Sequence, residues 1–461
     1  MNITKKGSLL GILFLTILMS SLFLVNIIPV NIPNSARNSS IVLYKNITIP
    51  NYTYQWYKTY DFEDEDIGNA IDVDSKGNIY VVGKTATTRY DGIEMGLDSS
   101  GNQIWNRTWG SGYDDANYDV IVYNYSRIYT IGEYDFDVVF GTNQLPIHCF
   151  NSSGSIIFSD TYISLSVHGY GMTIDTNLAN PIIYIAGKSK VSNPSALLVA
   201  YYLNGTRKNS TKYNGPTDDI GYAVGVDSKN FIYVGGVTNS SGDGSWDVQI
   251  LKYDTSFHLK WNITWGTPYD DTLNDLYIDK NDNIYVCGET DTGGGVISFL
   301  MMFNVTGSLQ WIRLWSNYQI EVAKSITEDK DGNLVIAGYV LNNYNDYDVM
   351  ITAFDKSGLQ LWYDIWGSNG DDYGYGICAD TNGSIFICGK TNSTGMGDAD
   401  GDLLVLKFSN IQNTPPTTTT TSTSTIPGFN YFAVIISVGF IIVVVFGIKK
   451  FPSRRKFPVN L

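Results

Sequence analysis

Short apolar runs separated by polar turn residues recur along most of this chain. One type of run is aromatic-aliphatic and ends in Gly, and it occurs as IYVVG, IYTIG, IYIAG, IYVGG, IYVCG, LVIAG and IFICG. Another apolar run precedes each copy, and a Gly- or Asn-containing turn usually joins the two. Runs of this length, rich in β-branched and aromatic residues and bounded by turn residues, predict strands and not helices.

The runs are parts of a longer repeat, whose copies begin at Trp56, Trp105, Phe158, Asn209, Trp261, Trp311 and Trp362. By subtraction, successive copies are 49, 53, 51, 52, 50 and 51 residues apart. Each copy holds four strand-like runs with turn residues at every junction, which is the organisation of one propeller blade. Seven copies predict an all-β, seven-bladed β-propeller of four-stranded blades.

The two ends of the repeat region complete each other. The last copy stops after its third run, at Phe408, whereas the first copy is preceded by an additional fourth run, YTYQWYKTY, at 52–60. We expect this N-terminal strand to complete the last blade, because a closed ring has no long unpaired sheet edge. The predicted propeller spans residues 51–410.

Three copies of the repeat carry a family resemblance. They read EDIGNAIDVDSKGNIYVVGKT (65–85), DDIGYAVGVDSKNFIYVGGVTNS (218–240) and DDYGYGICADTNGSIFICGKTNS (371–393). This pattern resembles the SBBP-type β-propeller repeat family. The resemblance implies a propeller fold but no activity, because that family is defined by its repeat. The stalk and C-terminal anchor described below resemble those of prokaryotic surface proteins.

The composition agrees with this fold and argues against some functions. The 461 residues include 33 Tyr, 20 Phe, 10 Trp and 45 Gly, and residues of these kinds favour strands and tight turns. The formal net charge of −15 argues against nucleic-acid binding, which needs clustered Lys and Arg. The four Cys form no CxxC pair, so we expect no zinc site.

Two apolar segments predict contact with a membrane. Residues 9–30 follow a basic start, which is typical of a signal peptide, and an uncleaved signal anchor is the alternative. Residues 431–448 carry no charge and precede a basic tail, so we expect a transmembrane helix with the tail in the cytoplasm and the propeller outside. The predicted organisation is a signal peptide or anchor at 1–30, a linker at 31–50, the propeller at 51–410, a Thr/Ser/Pro-rich stalk at 411–428, a transmembrane helix at 429–448 and a cytoplasmic tail at 449–461.

An extracellular propeller would also be open to N-glycosylation. Asn-x-Ser/Thr acceptor sites are frequent in the predicted outer part of the chain. The glycosylation candidates within the repeats are Asn106, Asn204, Asn262, Asn304 and Asn392.

The two faces of the predicted propeller differ. The connections from the fourth strand to the next first strand and from the second to the third strand are longer, more variable and acidic. The other connections are short, uniform hairpins. Because function usually resides in variable loops on a rigid scaffold, we place the binding face on the longer connections.

An acidic residue recurs on that face, and we call the set the acid ring. Its members are Asp66, Asp115, Asp219, Asp271, Glu321 and Asp372, and the third repeat has Val167 instead. One interpretation is a ring around the channel that binds a cation or a polybasic ligand. The other is turn chemistry, in which each acid accepts backbone N–H groups before a strand. Recurrence in six repeats favours the structural interpretation.

A few loop residues do not recur and are therefore candidates for ligand binding. Asp398 and Asp400 resemble the start of a calcium loop, although the Glu that would complete an EF-hand is absent. Asp243 and Trp246 lie in the loop SSGDGSWD (240–247). Trp246 is either an exposed aromatic anchor or a residue that packs against the blade below it.

The sequence indicates binding more than catalysis. The three His lie in different repeats, so neither a Ser-His-Asp triad nor a two-His metal pair is indicated. We therefore expect a monomeric, membrane-anchored surface module that binds a protein or glycan and needs no cofactor. The alternative is a propeller hydrolase or lyase that uses loop carboxylates, with calcium as its one candidate cofactor. Two loop acids within reach of each other in a concave pocket would favour that alternative.

Overall fold

The structure is a computed structural model, and it describes residues 40–43, 52–86, 88–124, 126–135, 143–164, 166–190, 193–242, 245–393 and 401–410. These residues form strands joined by turns. The two predicted membrane segments, the stalk and the basic tail lie outside the described ranges. Within those ranges, no helix has the length and apolar character needed to cross a bilayer.

The described strands form seven sheets, each of which is one blade. The chain begins with β1 (Ser40–Leu43) and β2 (Tyr52–Tyr60). Blade 1 contains β3 (Glu65–Val73), β4 (Ile79–Ala86), β5 (Tyr90–Leu97) and β6 (Gln103–Trp109). Blade 2 contains β7 (Ala116–Tyr123), β8 (Arg127–Glu133), β9 (Leu145–Phe150) and β10 (Ile156–Tyr162). Blade 3 contains β11 (Val167–Asp175), β12 (Ile182–Lys190), β13 (Pro194–Tyr202) and β14 (Arg207–Tyr213).

The remaining blades continue this order. Blade 4 contains β15 (Asp219–Val226), β16 (Ile232–Thr238), β17 (Asp247–Tyr253) and β18 (Leu259–Trp265). Blade 5 contains β19 (Asp271–Ile278), β20 (Ile284–Asp291), β21 (Val296–Phe303) and β22 (Leu309–Trp315). Blade 6 contains β23 (Glu321–Glu328), β24 (Leu334–Leu341), β25 (Tyr347–Phe354) and β26 (Gln360–Trp366). Blade 7 contains β27 (Asp372–Ala379), β28 (Ser384–Thr391), β29 (Asp402–Asn410) and β2.

The ring closes as the sequence predicts. Strand β2 pairs antiparallel with β29, from Tyr52 opposite Asn410 to Tyr60 opposite Leu403. The Tyr52 hydroxyl donates a hydrogen bond of 3.1 Å to Asp329 Oδ2, which also ties this strand to blade 6. The first strands of neighbouring blades contact one another around the whole ring, including β27 with β3, so they surround the central channel.

One strand lies where the sequence predicts a linker. Strand β1 is part of residues 31–50 and pairs in parallel with β22, with Ser40 opposite Trp311. Blade 5 therefore has a fifth strand at its outer edge. The pairing covers backbone groups that the outermost strand of a blade otherwise presents to solvent.

Recurring Asp residues build the turns between first and second strands. Oδ1 of each accepts the backbone N–H groups two and four residues later, at 2.7–2.9 Å. These residues are Asp74, Asp227, Asp279, Asp329 and Asp380. In the first of these turns Gly77 has a φ of 84°, a conformation that glycine adopts without a Cβ clash.

The recurring aromatic residues pack within and between blades. The ring centroid of Trp261 lies 5.8 Å from that of Tyr233, and Trp311 and Tyr285 are 6.0 Å apart. Tyr233 and Tyr285 are fully buried at equivalent positions of their second strands. The repeated Trp residues of the fourth strands and Tyr residues of the second strands therefore stabilise the blades rather than form a binding surface.

The four cysteines are free and buried. Cys378 is opposite Phe386 and Cys388 is opposite Gly376, so the strand register does not place the two thiols opposite each other. Burial raises the pKa of each of the four thiols above its usual value. They are small core residues with little thiolate character at neutral pH.

Candidate functional site

The two faces of the propeller carry different connections between strands. The loop face carries the fourth-to-first and second-to-third connections, and the hairpin face carries the other two sets. First strands start at the loop face and third strands end at the hairpin face. The chain therefore leaves β29 at the hairpin face, beyond Asn410.

Every first strand carries one β-bulge close to the loop face. A bulge adds one unpaired residue and redirects its side chain. The added residues, which we call the bulge ring, are Asn69, Tyr118, Tyr170, Tyr222, Asn274, Lys324 and Tyr375. The ring centroid of Tyr170 is 5.1 Å from that of Tyr118 and 5.4 Å from that of Tyr222. Because these residues belong to successive central strands, the bulge ring lines the mouth of the channel.

Blades 6 and 7 add further tyrosines to this mouth. Tyr339, on β24, lies 5.0 Å from Tyr373, and Tyr347, on β25, lies 5.1 Å from Tyr373, measured between ring centroids. Tyr373 and Tyr375 are stacked with an interplanar angle of 4°. Together with Tyr344 of the neighbouring loop, these residues are called the tyrosine sector.

Tyr344 is the most exposed large hydrophobic residue in the described part of the chain, at 86 %. The side chain of Asn342 holds its loop, because Oδ1 accepts the N–H groups of Tyr344 and Asp346 at 2.8 and 3.1 Å. Nδ2 of Asn342 donates to Asp348 at 2.7 Å. Because Tyr344 lies in the loop that leads into the half-buried Tyr347, we treat its exposed ring as a candidate ligand contact.

A polar cluster lies between blades 7 and 1. Lys390 forms an ion pair with Glu65, and the Tyr90 hydroxyl donates a hydrogen bond to the same carboxylate. Burial acts to raise the pKa of Glu65, but the hydrogen bonds from Lys390 and Tyr90 outweigh it and leave this pKa below its usual value. Lys84 lies 3.6 Å from the ring centroid of Tyr90.

A second polar cluster surrounds His168 in blades 2 and 3. His168 Nδ1 contacts the carboxylate of Glu133, and the Tyr118 hydroxyl donates to the same carboxylate at 2.7 Å. The His168 ring stacks on Tyr170, and Lys188 Nζ lies 5.5 Å from the centre of the Tyr170 ring. A carboxylate on Nδ1 fixes the orientation of the imidazole and leaves Nε2 for another partner.

The phenols at the mouth are hydrogen-bond donors rather than bases. Burial raises the pKa of Tyr339 to about 12 and raises the pKa values of Tyr118, Tyr170 and Tyr375 above the usual range. These hydroxyls therefore keep their protons at neutral pH. Burial also raises the pKa of Glu289, which pairs with Lys324 at 3.7 Å.

The acid ring does not line the channel mouth. All six carboxylates are fully buried, and each accepts the backbone N–H of the residue four positions earlier within 3.0 Å. Burial raises the pKa of Asp271 to about 6 and that of Glu321 to about 7. These are the contacts that the turn interpretation requires, and they leave the ring no access to a polybasic ligand.

A different set of acids lines the channel below the mouth. The carboxylates of Asp72, Asp119 and Asp275 accept N–H groups of Val122, Met172 and Ile326 in the following blade, at 2.7, 2.7 and 3.0 Å. Burial raises their pKa values to about 6, 8 and 6. Each acid thus joins two central strands. In the described ranges no group of three or more His, Cys, Asp or Glu side chains is arranged to hold a metal ion.

Close pairs of loop acids do occur, but they enclose a glycine. A Cβ on Gly367 would lie 2.1 Å from Asp348 Oδ1 and 2.8 Å from Asp372 Oδ2. Gly110, between Asp91 and Asp115, repeats this arrangement. Because the pairs recur and are filled by backbone, they are part of the fold and not a concave catalytic pocket.

The non-recurring candidates are only partly within the described ranges. Asp243, Asp398 and Asp400 lie outside them, so the calcium site stays a prediction. Trp246 is half-buried at the loop face, where its carbonyl accepts the N–H of Asp271 at 2.7 Å. The backbone N–H of Trp246 donates to Asp270 Oδ1 at 3.2 Å.

The sequon residues lie in varied surroundings. Asn106, Asn204 and Asn262 are exposed, whereas Asn304 and Asn392 are half-buried. Asn392 Oδ1 accepts the N–H of Asp371 at 2.5 Å. Glycosylation at these positions stays a prediction.

Sequence reasoning missed the bulge ring and the tyrosine sector. A usable signal exists, because four first strands carry Gly immediately before the bulge residue, as in Gly374-Tyr375 and Gly221-Tyr222. Glycine within a strand often marks a bulge. The bulge shifts the alternation of side chains by one position, so the period of two does not assign these residues to the channel.

Comparisons with known proteins agree with this architecture. The family model described as SBBP, beta-propeller repeat, matches residues 63–91 and 365–395. A WD repeat-containing protein, L264 of Acanthamoeba polyphaga mimivirus, is 24% identical over 195 residues, which cover 33% of this chain and 14% of that protein. The matched region is thus a small part of that relative.

One solved structure of a WD40 domain shares the fold at low identity. The Pan2 WD40 domain of Neurospora crassa superposes with a TM-score of 0.51 at 11% identity and covers 78% of this chain and 96% of its own. Sqt1 of Chaetomium thermophilum has a TM-score of 0.46 at 10% identity and covers 74% of this chain and 84% of its own.

Proposed function

We propose that this chain, which carries SBBP-type beta-propeller repeats, is a cell-surface module that binds a protein or glycan ligand on its loop face. The tyrosine sector is the observation that supports this most directly. Tyrosine supplies a large, amphipathic contact area with few rotatable bonds, which is why it is enriched at binding surfaces.

The position of the chain end supports the same function. The chain leaves β29 at the hairpin face, whereas the tyrosine sector lies on the loop face. A tether that continues from Asn410 would therefore begin on the face opposite the ligand. Anchoring by 429–448, with the propeller outside and the basic tail in the cytoplasm, is part of the proposal and rests on the apolar sequence.

The test compares two exposed tyrosines on opposite faces. Tyr344→Ala removes the most exposed ring of the loop face, and Tyr202→Ala removes one that is 39 % exposed at the hairpin face. The full chain and both variants are applied to a glycan array and to an array of purified extracellular proteins. We expect Tyr344→Ala to weaken the strongest interaction about tenfold or more and Tyr202→Ala to leave it unchanged. Equal binding by all three proteins would contradict the proposal.

An acid–base enzyme is the second candidate function, and the geometry of His168 favours it. Glu133 orients this imidazole, and within the described ranges no hydrogen bond engages Nε2. If the protein is an enzyme, this geometry favours His168, and not the loop carboxylates, as its acid–base group. Turnover of glycans by the full chain that is lost in His168→Gln and kept in the exposed-surface control His258→Gln would establish it. Absence of turnover would leave binding as the function.

A further inference from the structure

The tyrosine sector is a platform rather than a cage. Tyr347, Tyr373 and Tyr375 are nearly parallel, with interplanar angles of 29° and 4°, and Tyr339 meets them edge-on at 77–83°. Neighbouring centroids are 5.0–6.4 Å apart, so the rings contact one another directly. No ligand group fits between them, and a ligand must meet their outer faces and edges.

The backbone holds this platform in place without a ligand. The N–H of Tyr347 donates to Asp371 Oδ1 at 3.0 Å, and Asp371 and Asn392 exchange two further hydrogen bonds. Tyr373 and Tyr375 lie on the central strand β27, which pairs along its length with β28. A surface that is already ordered loses little conformational entropy when a ligand binds.

Carboxylate and amide groups border the platform. Asp346 and Asn342 lie in the turn that carries Tyr344, and Asp371 and Asn392 lie beside Tyr347. Oδ1 of Asn342 already accepts two backbone N–H groups, whereas a carboxylate has about four lone-pair sites, so Asp346 and Asp371 can accept further hydrogen bonds. Sugar rings present C–H groups to the negative face of an aromatic ring and hydroxyl groups to nearby acceptors. The platform and its border therefore match a sugar chain.

The negative charge around the platform favours a neutral glycan over an acidic one. The chain carries a net charge of −15, and Asp346 and Asp371 lie at the platform itself. Lys390 lies opposite Tyr373 and is paired with Glu65. Lys324 Nζ lies 5.9 Å from the Tyr339 ring centroid and is paired with Glu289. A polyanionic glycan would meet net repulsion here, whereas a neutral one would not.

The exposed apolar area is small for a protein partner. On the loop face of blades 6 and 7, Tyr344 is the exposed large hydrophobic side chain among the described residues. Standard protein interfaces bury about 800 Å² on each side around an apolar centre. A half-buried group of tyrosines bordered by acids suits a narrow, hydroxyl-rich chain better.

We infer that the tyrosine sector binds a neutral glycan chain by stacking sugar rings on Tyr344 and Tyr347, with the sugar hydroxyls donating hydrogen bonds to the bordering carboxylates. This inference rests on the binding function proposed above and assigns its ligand class. Asp371 also fixes Tyr347, so it acts both as an acceptor and as a positioning residue.

The experiment measures the affinity of the full chain, in mild detergent, for laminarin, mannan and xylan as neutral glycans and polygalacturonate as the acidic one. Tyr344→Ala and Tyr347→Ala should each weaken the best neutral interaction about tenfold or more. Tyr347→Phe, which keeps the ring, should bind within about threefold of the parent, and Tyr202→Ala should bind like the parent. Circular dichroism and melting temperature verify that every variant is folded.

The outcomes separate this inference from the proposed function. Preference for polygalacturonate, or neutral binding that both Tyr→Ala variants retain, overturns the inference. If no neutral glycan binds but a purified protein binds and is lost in Tyr344→Ala, the ligand class is wrong and the binding function stands. If nothing binds through the tyrosine sector, both fail.

Discussion

The interface between blades 1 and 2 contains a carboxylate at a third-strand position that is apolar in each of the other six blades. Glu94, fully buried on β5, accepts hydrogen bonds from Thr130 and His148 at 2.8 Å and forms an ion pair with Arg107. Burial acts to raise the pKa of Glu94, but the contacts with His148 and Arg107 outweigh it and lower this pKa. The carboxylate is therefore ionised and depends on its partners.

Blades 4 and 5 show how the same positions are filled without charge. The strand registers place Ile250 and Ile263 where blade 1 has Glu94 and Arg107. They place Val286 and Met301 where blade 2 has Thr130 and His148. All four belong to one apolar cluster. The propeller therefore supplies its own apolar template for this interface.

We predict that Glu94→Ile alone lowers the free energy of unfolding by about 3–5 kcal/mol, because it leaves Arg107 and His148 without the acceptor that they share. The fourfold variant Glu94→Ile, Arg107→Ile, Thr130→Val, His148→Met should recover that loss. Its stability should lie between that of the parent and about 4 kcal/mol above it, since well-packed apolar groups replace buried ion pairs at no net cost.

Urea unfolding followed by tryptophan fluorescence measures both variants, with midpoint and slope analysed separately. The reasoning requires strong non-additivity, because the four residues act as one network. A single-variant loss below about 1 kcal/mol would refute it, since a buried ion pair cannot be broken so cheaply. A fourfold variant as unstable as Glu94→Ile would show that the template does not fit.

Three further predictions concern the ring. Burial raises the pKa values of five acids to about 6–8: the channel acids Asp72, Asp119 and Asp275 and the acid-ring members Asp271 and Glu321. The folded state therefore binds their protons more tightly than the unfolded state does. The stability that these acids contribute by keeping their protons should be complete below about pH 4 and fall as pH rises through about 8, and Asp119→Asn should reduce that fall in urea titrations at pH 6 and 9; a flat profile in the parent would contradict it. Gly367→Ala should cost about 2–3 kcal/mol of unfolding free energy, because its Cβ would lie 2.1 Å from Asp348 Oδ1, whereas Gly294→Ala, with open space around it, should change stability by less than about 0.5 kcal/mol; equal losses would refute the steric argument. Deletion of 51–60 exposes the edge of β29, so size-exclusion chromatography should show association or a large loss of folded protein; a stable monomer would show that closure by β2 is dispensable.

The sequence predicts the ring because its signals repeat. Seven copies of the Gly-ending run define the blades, and the unmatched run at 52–60 defines the closure. The strand β1 was not predictable in this way, because it occurs once and its partner β22 is remote in sequence. Register with a distant partner is not encoded in a local pattern.

The candidate site was harder to predict, because its residues do not follow the repeat. Conspicuous acids such as Asp219 and Asp372 attract attention because they recur, and recurrence reflects their turn contacts. The tyrosine sector combines a bulge residue, Tyr375, with residues of another blade, such as Tyr339, so only the folded ring brings them together. In a sequence that contains 33 Tyr, the residue type alone also does not distinguish a half-buried surface tyrosine from a core tyrosine.

The closure of the ring has a mechanical consequence. Tyr52 and Asn410 are paired neighbours, so the start of β2 and the end of β29 lie together at one corner of blade 7. A pull that separates these two ends loads the β2–β29 ladder one pair at a time, beginning at that corner, and the ladder unzips. A pull between the loop face and either of these ends runs along the strands, so the hydrogen bonds of the ladder share the load. The same ring should therefore be mechanically weak in the first direction and resistant in the second.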